Sequence, residues 1–271
     1  MNRQSTSGRV DEGEAAKVLR GKKILLVEDN KFNQMVAQEV LANAGMIVVV
    51  ANNGREALAM LDDEVAAVLM DVQMPEMDGY EATRAIRQEP RFATLPIIAM
   101  TAHAMSGDRE TCLAAGMDNY VAKPFEPEEI FAMLARYVGE GEAEKREAGA
   151  KAGKVQGQED LVAGIHAHLE KVYGFAPERR EVMLVGAREA LLEQFGLGDT
   201  ALAQGDLEQL SRTAHSIKGS LGALGLKELA GLAERVEKQQ TRSADDKEKV
   251  LREQFTELRE ALAAWLGQGE G

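Results

Sequence analysis

The feature that most restricts the fold is a series of five short, mainly apolar runs between residues 22 and 138, each followed by a segment of helical periodicity. Runs of about four to eight apolar residues that alternate with helices are typical of buried strands in a parallel sheet with right-handed crossovers. The pattern therefore predicts an α/β fold with helices on both faces of the sheet. The predicted strands are Ile24–Val27, Ile47–Val50, Ala67–Met70, Ile97–Met100 and Asn119–Ala122.

Acidic residues follow two of these runs. The first runs directly into Glu28 and Asp29, and the third ends at Asp71, just before a turn rich in Pro and Gly. In a doubly wound, flavodoxin-like sheet of five parallel strands, the carboxyl ends of the strands meet at the edge where ligands bind. Three carboxylates at one edge are costly unless a cation compensates them, and Mg²⁺ prefers oxygen ligands. A magnesium site is predicted at these three residues.

Two further polar residues are expected at the same edge. Thr101 follows the fourth run, and Lys123 follows the fifth. A carboxylate nucleophile, Mg²⁺, a hydroxyl and an ammonium group are what an aspartyl-phosphate site requires, since the cations neutralise the phosphoryl oxygens while Asp71 attacks in line. Aspartyl-phosphate hydrolases of the haloacid dehalogenase type need a second acid two residues after the nucleophile, and Gln73 stands there. That alternative is disfavoured.

The segment from residue 22 to 138 resembles a response-regulator receiver domain. The resemblance implies that Asp71 accepts phosphate and ligates Mg²⁺ with Asp29. It also implies that the backbone carbonyl of Gln73 is a ligand and that Glu28 acts largely through water. The residues that carry the resemblance are Glu28-Asp29, the turn from Asp71 to Gly79, Thr101-Ala102 and Lys123-Pro124-Phe125.

The same resemblance identifies residues that would respond to phosphorylation. Thr101 and Tyr120 fall at the positions of the hydroxyl and aromatic switch residues of receiver domains. The bond between Lys123 and Pro124 would be cis by the same analogy. We therefore expect a switch surface on the fourth and fifth strands.

The composition changes beyond this segment. Residues 1–20 form a polar extension, residues 21–139 the receiver domain, and residues 140–158 a stretch of Gly, Ala, Glu, Lys and Gln that predicts a flexible linker. The linker could instead extend the last helix of the receiver domain, because Glu-Ala-Lys mixtures favour helix. Residues 159–267 show helical periodicity alone, which predicts an all-α bundle of four or five helices. Gly196 and Gly198 are expected to kink or break one of them.

One histidine of the helical region stands out. An apolar stripe of leucine, alanine and isoleucine runs along the segment from residue 207 to 224, and His215 lies roughly 130° from its centre. It is therefore expected to face solvent, between Arg212 and Lys218. Cations beside a bare imidazole suit a transient phosphohistidine, and Gly219 and Gly222 clear space for another protein's backbone.

The region from residue 160 to 266 resembles a histidine phosphotransfer (HPt) domain. The specific part of the resemblance is the sequence from Asp206 to Ser220, with its Ala-His-Ser-Ile-Lys-Gly-Ser core. It implies that His215 is the phosphoacceptor and that Lys218 and Gly219 shape its surroundings. The surrounding helices resemble those of an HPt domain only in their helical periodicity, without specific motif residues.

Composition limits the partners. A net charge of −13 argues against binding to nucleic acid, and the single cysteine, Cys112, excludes a disulfide framework. No signal peptide or apolar run of membrane-spanning length is visible, so we expect a cytoplasmic protein. We also expect it to be a monomer. Without glycine-rich nucleotide-binding boxes, the chain is predicted to receive rather than generate its phosphoryl group. The same receiver and HPt pair often ends a hybrid sensor kinase.

The prediction is an intermediate of a multistep His-Asp phosphorelay with Mg²⁺ as cofactor, between an upstream sensor histidine kinase and a downstream response-regulator receiver domain. Two alternatives remain open. The chain could be a regulatory binding module in which phosphorylation of Asp71 controls docking while His215 serves separate receivers, or it could be a phosphate sink. The two domains are expected to form a mostly open molecule in which they meet transiently.

Overall fold

The structure is a computed structural model that describes residues 12–101, 106–138, 159–238 and 244–267. Its strands form one parallel sheet in the order β2-β1-β3-β4-β5, which confirms the predicted flavodoxin-like topology. Each observed strand contains the run that predicted it. The strands are β1 (Lys23–Val27), β2 (Ile47–Ala51), β3 (Val65–Asp71), β4 (Ile97–Thr101) and β5 (Asn119–Ala122).

Helices cover both faces of the sheet. Alternate strand residues point to opposite faces, so Leu25 and Met70 join one buried cluster while Leu26 and Leu69 join another. The first cluster is covered by α3, α4 and α5, and the second by α1, α2 and α6. These helices are α1 (Glu12–Leu19), α2 (Lys31–Asn43), α3 (Gly54–Met60), α4 (Gly79–Gln88), α5 (Ser106–Ala115) and α6 (Pro127–Val138).

Helix α1 was not expected from the sequence. Its Ala15 and Leu19 are buried, and the helix packs against α6. The part of residues 1–20 that the structure describes is therefore an element of the receiver core rather than a purely polar extension. Two buried apolar residues on one short, charged segment give too weak a periodic signal to find it.

The C-terminal region is entirely helical in its described part, as predicted. Gly196 and Gly198 lie inside α8, which continues past both, so the predicted break is wrong. The ring of Phe255 from α11 occupies the space beside Gly198, and this packing outweighs the low helix propensity of glycine. The helices are α7 (Glu159–Tyr173), α8 (Pro177–Gln204), α9 (Leu207–Ala223), α10 (Lys227–Lys238) and α11 (Ala244–Leu266).

The two regions pack against each other, in contrast to the open molecule expected from the sequence. Helix α2 contacts α8 and α9, and the apolar cluster under β1 continues into the helical region. The rings of Phe125 and Tyr173 meet edge to face at 6.4 Å, and Arg179 pairs with Glu39 at 2.7 Å. The predicted linker at residues 140–158 lies outside the described residues. Among those described, no helix is both long and apolar enough to cross a membrane.

Candidate functional site

The predicted acidic cluster forms at the carboxyl edge of the sheet. Glu28, Asp29 and Asp71 each place a carboxylate oxygen within 4.8 Å of the others. The Lys123 ammonium donates to both Glu28 Oε2 at 2.6 Å and Asp71 Oδ2 at 2.7 Å. The sheet order accounts for this arrangement, because β1 and β4 flank β3 and the residues after β5 reach back across the edge.

The electrostatics of this cluster favour a bound cation. Burial raises the pKa of Glu28, and burial together with Asp71 and Glu28 raises the pKa of Asp29 to about 8. Burial alone would lower the pKa of Lys123, but Asp71 and Glu28 raise it well above its ordinary value. One ammonium thus faces three carboxylates, and the remaining negative charge suits Mg²⁺, which takes oxygen ligands. The residues present fit the metal.

The other predicted receiver residues surround this cluster. Thr101 ends β4 and is buried, and Gln73 donates its backbone N–H to Asp71 Oδ1 at 3.3 Å. Tyr120 lies on β5 and is half-buried against the apolar cluster beneath α4 and α5. The peptide bond between Lys123 and Pro124 is cis, which confirms that prediction.

His215 lies on α9 and does not face open solvent, which corrects the helical-wheel prediction. Only 12% of its side chain is exposed, because α10 packs along α9 and brings Glu237 beside the ring. His215 Nδ1 lies 2.8 Å from Glu237 Oε1, and Lys218 Nζ donates to Glu237 Oε2 at 2.6 Å. The helical-wheel analysis correctly placed His215 away from the apolar stripe of its own helix. It could not predict that α10 would cover this position.

Glu237 is a site residue that the sequence analysis missed. Burial would raise its pKa, but hydrogen bonds from His215 and Lys218 outweigh burial and lower the pKa to about 2. The carboxylate is therefore ionised and can only accept, so Nδ1 of His215 must carry the proton that it donates. In the neutral ring, a proton on Nδ1 leaves Nε2 with the nucleophilic lone pair. No local motif marks Glu237, because it lies 22 residues beyond His215.

The two predicted acceptors line one cleft. Its volume is about 590 Å³, and its walls come from the receiver edge on one side and from α9 and α10 on the other. Asp71 and His215 both line it, as do Thr101, Gln73 and Glu237. Lys218 and Gly219 lie outside this lining: Lys218 is buried against Glu237, and Gly219 approaches Asn33 of α2. The cleft can therefore hold a phosphoryl group between an aspartate and a histidine.

Comparison with known proteins assigns both regions. The family model for the response regulator receiver domain matches residues 24–135, and that for the Hpt domain matches residues 183–266. Histidine kinase 2 of Arabidopsis thaliana is 41% identical over 142 residues, which are 44% of this chain but 12% of that kinase. An uncharacterised 14.6 kDa protein of Leptolyngbya boryana is 40% identical over 115 residues, 42% of this chain and 88% of that protein.

Solved structures of similar chains are also found. The receiver domain of sensor histidine kinase PA1611 from Pseudomonas aeruginosa, with a magnesium ion in its active-site cleft, is 45% identical and has a TM-score of 0.42. The match covers 44% of this chain and 98% of that one. The two family matches support a role in two-component phosphorelay and signal transduction. The chain belongs to the proteins in which a response regulator receiver domain is followed by an Hpt domain.

Proposed function

We propose that this chain is a phosphorelay intermediate that carries a phosphoryl group on Asp71 and on His215 and exchanges it between them within one molecule. The observation that carries this proposal is the shared cleft, which both residues line. The receiver domain would exchange phosphate with a partner histidine kinase, and the HPt domain with a response-regulator receiver. The histidine kinases among the relatives support such partners.

The residues of the cleft support a balanced transfer step. When the Nε2 lone pair of His215 attacks the phosphorus of phospho-Asp71, the P–O bond breaks and the Asp71 carboxylate keeps the electron pair. Lys123 then neutralises the released carboxylate, with which it pairs in this structure. The Nδ1 proton of His215 stays in its hydrogen bond to Glu237, which offsets the positive charge that the ring gains on phosphorylation. The step is reversible, because both phosphorylated forms are energy-rich.

The receiver edge also supports a magnesium requirement. Bound at Glu28, Asp29 and Asp71, Mg²⁺ would supply electrostatic neutralisation of the phosphoryl oxygens. Asp29 and Asp71 would ligate it directly, with Gln73 contributing its backbone carbonyl and Glu28 acting through water. Lys123 supplies a fixed cation that pairs with both Asp71 and Glu28. The switch role of Thr101 and Tyr120 belongs to the same proposal, since Thr101 lines the cleft and Tyr120 lies on the neighbouring strand β5.

The test is to label the protein with radioactive acetyl phosphate and distinguish the sites by acid and alkali stability. We expect label on Asp71, which is acid-stable and alkali-labile, followed by alkali-stable label on His215. Asp71→Asn should abolish both signals, and His215→Gln only the second. Asp63→Asn and His166→Gln serve as matched controls, because Asp63 is exposed and His166 lies on α7. Wild-type label that never leaves Asp71 would favour the regulatory binding module instead.

A further inference from the structure

The surface of α9 beside His215 is covered by the chain's own receiver domain. The start of α2 lies against it, and Asn30, Ser216 and Ser220 are buried at this contact. Asn30 Nδ2 donates to Ser216 Oγ at 2.7 Å, to Ser220 Oγ at 2.9 Å and to the Ser216 carbonyl at 3.2 Å. The two N–H bonds of a single amide group are thus shared among three acceptors on the helix that carries the proposed phosphohistidine.

The orientation of the Asn30 amide is fixed from the receiver side. Its Oδ1 caps α2 by accepting from the backbone N–H of Asn33 at 3.0 Å, so the NH₂ group must point towards α9. With 2% of Asn30 and none of Ser220 exposed, water cannot replace these hydrogen bonds in the closed molecule. A receiver without a donor at this position would leave buried hydroxyl groups with fewer partners, and such a site strongly rejects a ligand that lacks the group.

Side chains of the receiver lie too close to the backbone of α9 for a second protein to enter between them. A Cβ atom at Gly219 would lie 2.9 Å from Asn33 Nδ2, and one at Gly222 would lie 3.3 Å from Pro124 Cδ. The glycine face of α9 is therefore already occupied by this receiver domain. An outside receiver cannot use that face to reach His215 until the internal domain leaves.

We propose that Asn30 is a specificity-determining residue that selects the chain's own receiver for the α9 surface and thereby excludes outside receivers from His215. The inference rests on the proposed transfer between Asp71 and His215. Transfer within one chain and transfer between chains then compete for one surface. Weakening the Asn30 contact should slow the first and accelerate the second.

The first half of the test measures transfer within one chain. Ser216→Ala combined with Ser220→Ala removes both hydroxyl acceptors and leaves the receiver domain unchanged. We expect the rate from labelled Asp71 to His215 to fall about tenfold, since two buried hydrogen bonds are lost. Asn30→Ser should act similarly, because serine keeps the cap on α2 but lacks the amide donor. Gln88→Ala, at an exposed amide on α4, is the control and should leave the rate unchanged.

The second half measures transfer between two different chains. In each chain the internal Asn30 contact is weakened, but the receiver of one can still form this contact with α9 of the other. The donor is the full chain with His215→Gln, Ser216→Ala and Ser220→Ala, so its receiver keeps Asn30. The acceptor is the full chain with Asp71→Asn and Asn30→Ser, so its α9 keeps both serines. Label should reach His215 of the acceptor about tenfold faster than in a mixture that carries only His215→Gln and Asp71→Asn.

The two halves separate the possible failures. If opening both chains leaves transfer between them unchanged or slower, Asn30 does not restrict access and the inference is wrong, although the proposed function stands. If the serine substitutions leave transfer within the chain unchanged, the inference is equally wrong. If wild-type His215 never acquires label, the proposed function fails, and the inference fails with it. Circular dichroism spectra that match the wild type establish that each variant is folded.

Discussion

The receiver and the HPt regions solve the same chemical problem with opposite charges. At Asp71 an ammonium, that of Lys123, lies between two buried carboxylates at 2.6 and 2.7 Å. At His215 a carboxylate, that of Glu237, lies between an imidazole at 2.8 Å and an ammonium at 2.6 Å. Each acceptor is thus held by a charged group that stays in place when phosphate arrives or leaves. The difference is in what each site still needs.

The receiver site has excess negative charge and needs a further cation, whereas the HPt site is compensated by the protein alone. In the first, three carboxylates lie together near one ammonium, and burial together with Asp71 and Glu28 raises the pKa of Asp29 to about 8. In the second, one carboxylate serves two donors, and its pKa falls to about 2. We therefore expect the chemistry at Asp71 to depend on Mg²⁺ and that at His215 to depend on Glu237.

The largest expected effect comes from removing the cation of the receiver site. Lys123→Met should lower the rate of Asp71 phosphorylation by acetyl phosphate by about 10²–10³-fold, because a fixed charge beside the transferred group is lost. The rate is measured by incorporation of radioactive label at saturating Mg²⁺. Lys22→Met, at an exposed lysine just before β1, is the control. A decrease smaller than tenfold would mean that the metal alone compensates the phosphoryl charge.

Removing the central anion of the HPt site should have a smaller effect. In Glu237→Gln the amide cannot fix the imidazole tautomer by charge, and we expect transfer to His215 to slow by roughly 10- to 100-fold. Glu228→Gln, at an exposed position on the same helix α10, is the matched control. NMR of the ring nitrogens should show the proton of His215 on Nδ1 in the wild type and a mixture of tautomers in the variant. An unchanged tautomer would contradict the assigned role.

These two sites also show what the sequence could and could not predict. Glu28, Asp71, Thr101 and Lys123 follow apolar runs, and strand order brings their ends together, so local pattern was sufficient to predict that these residues lie at one edge of the sheet. The partner of His215 depends on how α10 packs on α9, a tertiary contact without local periodicity. The docked arrangement was missed for the same reason: nothing in the local sequence marks Asn30, although its side chain is hydrogen-bonded to Ser216 and Ser220.

Acid should weaken the HPt site in a defined range. The pKa of Glu237 is lowered from 4.5 to about 2, so the folded state binds this proton less readily than the unfolded state. The resulting stabilisation is complete above pH about 4.5 and is lost as the pH falls towards 2; after screening at the cleft it amounts to about 1–2 kcal/mol. The difference in unfolding free energy between wild type and Glu237→Gln should shrink by about half from pH 6 to pH 3. A difference that stays constant would contradict the ionised hydrogen-bond network.

Two glycines of α8 test whether the chemically different regions nevertheless share one core. A methyl group at Gly198 would overlap the ring of Phe255, so Gly198→Ala should lower the free energy of unfolding by about 1–3 kcal/mol. Trp265, the single tryptophan, reports on the helical region by fluorescence, and hydrogen exchange of β3 reports on the receiver. Because one apolar cluster contains residues of both regions, the unfolding free energies measured by the two probes should decrease together.

The smallest effect is expected two residues earlier, with the opposite sign. Nothing lies within 4 Å of a Cβ atom built at Gly196, which is exposed in the middle of α8, so Gly196→Ala meets no steric cost. Alanine there restricts the unfolded chain and favours helix, which should raise the free energy of unfolding by about 0.5–1 kcal/mol. If the shared core couples the two regions, the protection of β3 amides against hydrogen exchange should increase together with the unfolding free energy measured by Trp265 fluorescence. Stabilisation confined to Trp265 would mean that the receiver unfolds independently, and the closed arrangement would then be weaker than the burial of Asn30 indicates.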